Sequence, residues 1–282
     1  MGLPVILRGR RTARSVGAYF DLITEDGRLF YGDSFHLGYF SNGERNLGEA
    51  LDAHTDLVAG LAQVQQAEHV LDVGCGVAAP AARIAQRFGC AVTGVNISRE
   101  QVRQGNELIT ELGLSDRVVV QRGDACALAF ADESFDAIVC LEAAGDICVT
   151  EADKGRLVGE LFRVLRPGGR VGFSDLALRN PLSAADDREL RAVLYHSAAD
   201  LVTDWAALFE RAGFDVVESR DIIAETLPTW EHVRAVYRRR QAEVLRRYGQ
   251  RLADKTVAHL ERIACILAEH GTFPALGAQK PA

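Results

Sequence analysis

The chain has no Cys-x-x-Cys pair, and none of its histidines stands at a spacing suited to zinc, which argues against a metal site. Its six cysteines (Cys75, Cys90, Cys126, Cys140, Cys148 and Cys265) are scattered, most of them inside apolar runs. They are expected as reduced, buried thiols of a cytoplasmic protein. No stretch approaches the roughly 18 consecutive apolar residues of a transmembrane helix, so no membrane partner is expected. Arg8, Arg10, Arg11 and Arg14 are not followed by a long apolar region, so the amino terminus does not read as a signal peptide. Internal repeats and low-complexity tracts are missing too. So is a basic excess: 32 Lys and Arg face 39 Asp and Glu, and a net charge of −7 weighs against a nucleic-acid partner. What remains is ordinary for a soluble globular chain, 48% apolar and 25% charged over 282 residues. That is enough for one large domain, or one domain with a cap.

The stretch around which the rest is organised is His69–Gly76. Val70, Leu71 and Val73 make a short apolar run that reads as a buried strand. Gly74 and Gly76, lacking Cβ atoms, let the backbone turn sharply and come close to a ligand. Helical spacing resumes over Ala78–Phe88. Strand, glycine turn and helix together aim N–H groups and a positive dipole end above the strand, as a nucleotide-type ligand requires.

Before this unit, residues 1–18 read as a mobile arm with solvated arginines, and Tyr19–Ile23 as the start of a short helix. The segment from Leu29 to Phe40 is dense in aromatics, which want burial, a flat ligand or a second copy of the chain to cover. Leu47, Leu51, His54, Val58 and Leu61 recur at helical spacing. After the glycine turn, strands are predicted over Ala91–Val95, Val118–Gln121, Phe135–Leu141, Arg170–Asp175 and Phe214–Ser219. Helices are predicted over Arg99–Leu112, with Ser98 and Gln101 as a capping box, and over Lys154–Leu165, stopped by Pro167-Gly168-Gly169. The alternation implies parallel pairing and a doubly wound, Rossmann-like α/β sheet. Ligands of such sheets bind beyond the carboxyl ends of the strands. That rule selects Asp72 to Gly76, Asn96, Asp124, Leu141 to Asp146, and Asp175.

The last hundred residues are mostly helical: Ala184–Leu201, Asp204–Ala212, and two long patterns over 230–249 and 252–270. Residues of about 180–212 and 228–271 read as a lid over the strand ends. A last strand reads over Ala275–Gln279. Residues 1–45 form an arm and covering segment, and 46–282 the main domain. The arginines at 238–240, 246 and 247 read as a solvated helix face.

Gly74-x-Gly76-x-x-Ala79 fits a dinucleotide fingerprint, but the acidic residue expected about 20 positions on is Asn96. Further motifs decide. Val70-Leu-Asp-Val-Gly-Cys-Gly76, Val92-Thr-Gly-Val-Asn-Ile-Ser98 with Gln101, Gly123-Asp-Ala125, Ser134-Phe-Asp-Ala-Ile-Val139, Leu165-Arg-Pro-Gly-Gly169 and Phe173-Ser-Asp175 follow in order. In that order and spacing the chain resembles class I S-adenosylmethionine-dependent methyltransferases, specifically the bacterial group that tailors natural products. Phe35-His-Leu-Gly-Tyr39 resembles the family's His-x-Gly-Tyr element, which helps close the cofactor pocket.

The resemblance implies a seven-stranded sheet and S-adenosyl-L-methionine as cofactor. Gly74 and Gly76 would face its methioninyl part, with Asp72 ordering donors around it. Asn96 and Gln101 would hold the ribose hydroxyls, Asp124 the adenine amino group, Ala125 a backbone contact, and Ile97 an adenine face. His36, Tyr39 and Leu141 would complete the pocket.

Two positions depart from the family. Ala78 replaces a third glycine. The loop after the fourth strand reads Glu142-Ala-Ala-Gly-Asp146, where many relatives carry a basic His. A hydroxyl acceptor benefits from a general base, whereas a neutral amine does not require one. The candidates are His196, Glu142, Asp146 and His36. The reading that follows is methylation of a small, hydrophobic natural product at O, N or C. Its rivals are a non-methylating cyclase or lyase that retains the cofactor, an NAD-dependent oxidoreductase, and an interaction module with an empty pocket.

Overall fold

A computed structural model of the chain describes residues 12–41, 43–44, 46–66, 68–148, 150–193, 201–248 and 250–282. At its centre β1 (His69–Val73) pairs in parallel with β2 (Ala91–Asn96) on one side and β4 (Phe135–Leu141) on the other. The pleat sends alternate residues to opposite faces. Val70, Val92, Ala137 and Val139 pack on one side, with Val58, Ala81, Ile84 and Ile109 of the helices there. Leu71, Val73, Val95, Ile138 and Cys140 pack on the other, against Leu157, Leu161 and Phe209. Both faces are covered, so these strands read as continuous apolar runs.

The sheet continues from β2 to β3 (Val118–Arg122) and from β4 to β5 (Leu165–Ser174), all parallel. Numbering the short ribbon Ala177–Leu178 and Gly271–Thr272 as β6 and β8, the seven-stranded order is β3-β2-β1-β4-β5-β9-β7. Here β7 is Asp215–Asp221 and β9 is Pro274–Gln279. The last strand is therefore not peripheral. It inserts between β5 and β7 and runs antiparallel to both, outside the parallel pairing that the strand–helix alternation implies. Its pattern is faint because Pro274 and Gly277 are poor strand formers. Pro274 is tolerated as the first residue of the strand, and a Cβ on Gly277 would stand 3.0 Å from the carbonyl of Leu61.

The amino-terminal reading also changes. Residues 13–31 form one helix, α1 (Ala13–Tyr31), capped by a Thr12–Ser15 box. They are not a mobile arm with a short helix; residues 1–11 lie outside the described residues. Asp21 of α1 accepts from the Ser98 hydroxyl at 2.6 Å and from the Glu100 N–H at 3.0 Å. A carboxylate thus sits at the amino end of α4 (Arg99–Glu111), where the helix dipole favours it. Arg28 reaches Gln104 of the same helix at 2.9 Å. The close approach of α1 uses Gly17, where a Cβ would stand 3.2 Å from the Ile97 carbonyl.

Helix α2 (Leu47–Leu61) lies against β5, and α3 (Ala79–Phe88) follows the glycine turn. Ala78, at the start of α3, takes φ +67°. The left-handed region costs an L-residue about 1 kcal/mol. The Ala78 methyl is fully buried, which contributes about 0.8 kcal/mol. These terms oppose one another. A78G is therefore expected to shift the melting temperature by less than about 3 °C in calorimetry.

A short turn of helix, α5 (Ala144–Ile147), and then α6 (Glu151–Val164) connect β4 to β5. Among the described residues, helix α7 (Ala184–Val193), helices at Trp205–Arg211 and Ile223–Thr226, and three more at Pro228–Arg239, Gln241–Tyr248 and Gln250–His270 follow. Leu190, Trp230, Val233, Leu260, Ile263 and Leu267 form an apolar cluster with Leu37, Leu176 and Leu178, beyond the end of β5. The aromatic segment ahead of β1 packs within the chain: Phe40 stacks on His232 and Phe30 on Tyr237, at 5.1 and 6.0 Å between centroids. Arg238 to Arg240 are exposed, as the solvated-face reading requires. None of the six cysteines is in a disulfide. Among the described residues no helix is long and apolar enough to cross a membrane, and no cluster suits a metal.

Candidate active site

The strand order reverses between β1 and β4, and a cleft opens beyond their carboxyl ends, where the doubly wound rule places ligands. It encloses about 880 Å³ including its mouth, within the range of small-molecule sites. Asp72, Gly74 and Gly76 line it, as do Asn96, Ile97 and Gln101, Asp124 and Ala125, Leu141, Glu142 and Asp146, and His36. Thus of the cofactor-binding and catalytic candidates named in the sequence the fold gathers all but Tyr39 and His196, while Asp175, selected by the strand-end rule, does not line the cleft. The Tyr39 ring packs on the apolar cluster beyond β5 and lies 6.4 Å from His54. His196 lies outside the described residues. The cleft also takes Val16 and Phe20 of α1, with Asp33, Phe35, Pro80 and Ile147. Sequence reading missed the α1 residues because it treated that helix as an arm, although the Thr12–Ser15 pair was a capping signal.

The glycine turn is built by close approach. The N–H groups of Gly74 and Cys75 both donate to the Val95 carbonyl, at 2.8 and 3.2 Å, folding the turn across β2. Gly74 has φ +75°, and a Cβ there would lie 2.3 Å from the Ala143 methyl. Gly76 has φ +54°, but a Cβ there would meet nothing within 4 Å, so its backbone borders open space. Asn96 is held as a turn residue. Its Oδ1 accepts from Ser98 N–H at 2.9 Å and its Nδ2 donates to Gln101 Oε1 at 2.8 Å. Ser98 caps α4 through the Gln101 N–H at 3.1 Å, but the Gln101 side chain turns to Asn96, so the reciprocal half of the expected capping box is not made. Asp124 accepts from Cys126 N–H at 2.9 Å and keeps its loop turned into the cleft.

Asp72 is the informative residue. It is buried, and its Oδ2 finds no donor in the protein. Burial pushes its pKa up to about 7. A buried polar atom left unpaired is costly, so this oxygen calls for a donor from a ligand. A folded-state pKa above the unfolded value makes the group's contribution to stability full below about pH 4 and lost as the pH rises through about 7. D72N removes the charge without changing the shape. Apo D72N is therefore expected to exceed the wild type by a few kcal/mol at pH 8, the gain shrinking towards pH 4. Denaturant unfolding at several pH values measures it. His36 and His54 act in the opposite sense. Burial lowers them to about 4 and about 3, so their contribution is present above about pH 6.5 and lost on acidification. Comparing variant with wild type at each pH separates the Asp72 share.

Beside Asp72 runs a closed ring of hydrogen bonds. Leu37 N–H donates to Glu142 Oε2 at 2.6 Å, and the Leu37 carbonyl receives His54 Nδ1 at 2.7 Å and His36 Nδ1 at 2.9 Å. A carbonyl only accepts, so both imidazoles carry their proton on Nδ1. His54 Nε2 then accepts from the Ser174 hydroxyl at 3.0 Å, and the Ser174 carbonyl accepts from Glu142 N–H at 2.7 Å. His36 Nε2 is left as a bare, buried acceptor. Glu142 itself sits at φ +50°, a conformation costing about 1 kcal/mol or more and characteristic of functional sites. Burial raises its carboxyl well above the usual range. The Leu37 N–H works against that shift, and Asp175 and Asp146 add to it. His54 was legible only as one position of an apolar helix stripe; its tie to Ser174, 120 residues on, has no local signal.

This constellation fits S-adenosyl-L-methionine. The orphaned Asp72 oxygen suits an ammonium, the open backbone at Gly76 leaves room for the methioninyl chain, and Asp124 and Ala125 border the place for a base. Comparison with known proteins agrees. Residues 70–169 match the family model described as a methyltransferase domain. The methyltransferase GfsG of Streptomyces halstedii is 34% identical over 222 residues, spanning 77% of this chain and 78% of that one. A 27-O-demethylrifamycin SV methyltransferase of Amycolatopsis mediterranei is 30% identical over 222 residues, spanning 78% and 80%. Among solved structures, the 4+2 cyclase SpnF superposes over the whole of both chains with a TM-score of 0.78 at 28% identity. The cyclopropane synthase MmaA2 of Mycobacterium tuberculosis, at 17% identity, shares the fold with a TM-score of 0.83 over 96% of this chain.

Proposed function

Because the chain belongs to the S-adenosylmethionine-dependent methyltransferase family, we propose that it methylates a small, largely apolar natural product in the cleft beyond β1 and β4. The observation that carries this reading is the continuity of the cleft. One cavity joins the unpaired Asp72 to the apolar side chains of Val16, Phe20, Phe35 and Ile147, with Glu142 and Asp146 among them. Asp72, Gly74 and Gly76 hold the amino-acid end of the cofactor, Asn96 with Gln101 the ribose, and Asp124 with Ala125 the adenine. Bound there, the cofactor supplies an electrophilic methyl group on a cationic sulfur. The protein's share is alignment and exclusion of water, since holding reacting atoms at roughly 3–3.5 Å supplies much of the acceleration. Helix α1 covers the cleft from one side. The described helices Ala184–Val193, Trp205–Arg211, Pro228–Arg239, Gln241–Tyr248 and Gln250–His270 act as the lid, and the segment 32–41 as part of the cover. Glu142 and Asp146 face the acceptor. His36 shapes the wall from the covering segment. Action as a cytoplasmic enzyme, without nucleic acid and as a homodimer, is part of the same proposal.

The test is transfer of label from methyl-tritiated S-adenosylmethionine to a panel of hydroxylated natural products and to extract of the encoding organism. An organic-extractable labelled product supports the reading. Binding of S-adenosylhomocysteine with no labelled product across the panel turns the assignment to the second reading, a cyclase that retains the cofactor. The specific observation behind that alternative is the full-length superposition on SpnF.

A further inference from the structure

Among the carboxyl groups that border or abut the cleft, Asp72, Glu142, Asp146 and Asp175 are not equivalent. Asp175 is committed to backbone donors: its Oδ2 accepts from Gly145 N–H at 2.8 Å and its Oδ1 from Leu176 N–H at 2.7 Å. Asp72 lies at the glycine turn. Glu142 alone is both cleft-lining and locked by its backbone into a left-handed conformation at the end of β4. Its Oε2 is fixed by a single neutral donor, Leu37 N–H.

The groups facing it come from every neighbouring element. Tyr31 of α1 is pushed up by burial and by Glu142 itself; Asp146 comes from α5, Asp175 from the end of β5, and neutral His36 from the covering segment. None of these is a cation. The positive charge that would balance an ionised Glu142 must therefore come from a ligand.

Resting on the methyltransferase reading, we propose that Glu142 changes its protonation state with the charge on the cofactor sulfur, and thereby takes the proton of a hydroxyl acceptor as the methyl group moves. The acceptor oxygen forms a bond to the methyl carbon while the carbon–sulfur bond breaks and its electron pair stays on sulfur. The hydroxyl proton passes to the Glu142 carboxylate. A cation and an anion disappear together, leaving a neutral thioether, a neutral carboxylic acid and a methyl ether. In a water-poor cavity a carboxylate is tolerated only beside an opposite charge. Losing the sulfonium charge therefore makes Glu142 a stronger base during the step that needs one. This deepens the reading to an oxygen acceptor and explains how a family site without the loop His keeps a base.

The test needs no acceptor. S-adenosylmethionine and S-adenosylhomocysteine share their ammonium, carboxylate, ribose and adenine and differ in the charge on sulfur, so contributions of Asp72 cancel between them. Titration calorimetry at neutral pH in buffers of different ionisation enthalpy gives the protons exchanged on binding each. The wild type is expected to release about one more proton with S-adenosylmethionine than with S-adenosylhomocysteine, and E142Q to bind both with no difference. Infrared difference spectra of the wild type are expected to show a protonated carboxylic acid in the S-adenosylhomocysteine complex that is lost in the other. Equal proton exchange for the two ligands in the wild type overturns the proposal, as does a difference that persists in E142Q. Failure of either ligand to bind would instead overturn the methyltransferase reading.

Discussion

Gly74→Ala is expected to weaken S-adenosylhomocysteine binding by roughly 30- to 1000-fold. Two costs add. The residue holds φ +75°, where an L side chain loses about 1 kcal/mol. Its Cβ would also lie 2.3 Å from the Ala143 methyl, far inside contact distance. Relief requires the start of α5 to retreat, and overpacking of that kind costs about 1–3 kcal/mol. Asp146 and Ile147 sit on α5 and line the cleft, so the strain falls on the ligand site itself. The Gly74 N–H bond to Val95 is a second casualty, because it holds the turn across β2. Titration calorimetry measures the affinity. A Tm within a few degrees of wild type would assign the loss to the site and not to the fold.

Gly172→Ala is expected to act on the fold instead, with a loss of about 3–5 kcal/mol and a fall in Tm on the order of 10 °C. Gly172 faces α2 from the middle of β5, and a Cβ there would lie 1.9 Å from the Val58 carbonyl and 2.9 Å from the Ala62 amide. Both are backbone atoms, so no rotamer change helps; the whole helix must lift from the sheet. Val58 and Ala59 would leave the core with it, and His54, on the same helix, would lose its geometry to Ser174. Thermal unfolding followed by circular dichroism reads the shift. Retention of the wild-type Tm would mean that α2 does not lie on β5 as described.

The contrast between these glycines shows what a sequence can carry. Gly74 was readable because its role is local: a strand, a turn and a helix within twenty residues announce a ligand. The central strands β1, β2 and β4 were readable for a related reason, since burial on both faces leaves continuous apolar runs. Gly172 was silent, because what forbids a side chain there is a helix more than a hundred residues earlier. β9 was faint because its proline and glycine are permitted by neighbours that only the fold supplies. The same holds within the site. Asp72, Asn96, Asp124 and Glu142 lie at or just beyond strand ends and were found by the strand-end rule, whereas Gln101, in the first turn of α4, came from the motif resemblance. The Leu37–His54–Ser174 ring, which fixes the His36 tautomer, joins three distant segments. Helix α1 was hidden because its first residues read as an arm with solvated arginines; its glycines Gly17 and Gly27 serve the close approach to Ile97 and Phe35.

Ala78 belongs to the same lesson. Its left-handed backbone suits the glycine that the family resemblance leads one to expect here, and its buried methyl shows how the chain tolerates alanine. The departure is a local exchange of backbone ease for packing, with the glycine turn at Gly74 and Gly76 intact.

The most direct measurement compares melting temperatures of the wild type and G74A with saturating S-adenosylhomocysteine, and with NAD. Selective binding to the native state stabilises by a few kcal/mol at ligand concentrations about a hundredfold above Kd. A rise of several degrees with S-adenosylhomocysteine in the wild type, little or none in G74A, and none with NAD in either is the predicted result. An equal rise in both proteins, or a rise with NAD alone, would contradict the placement of the cofactor at this turn.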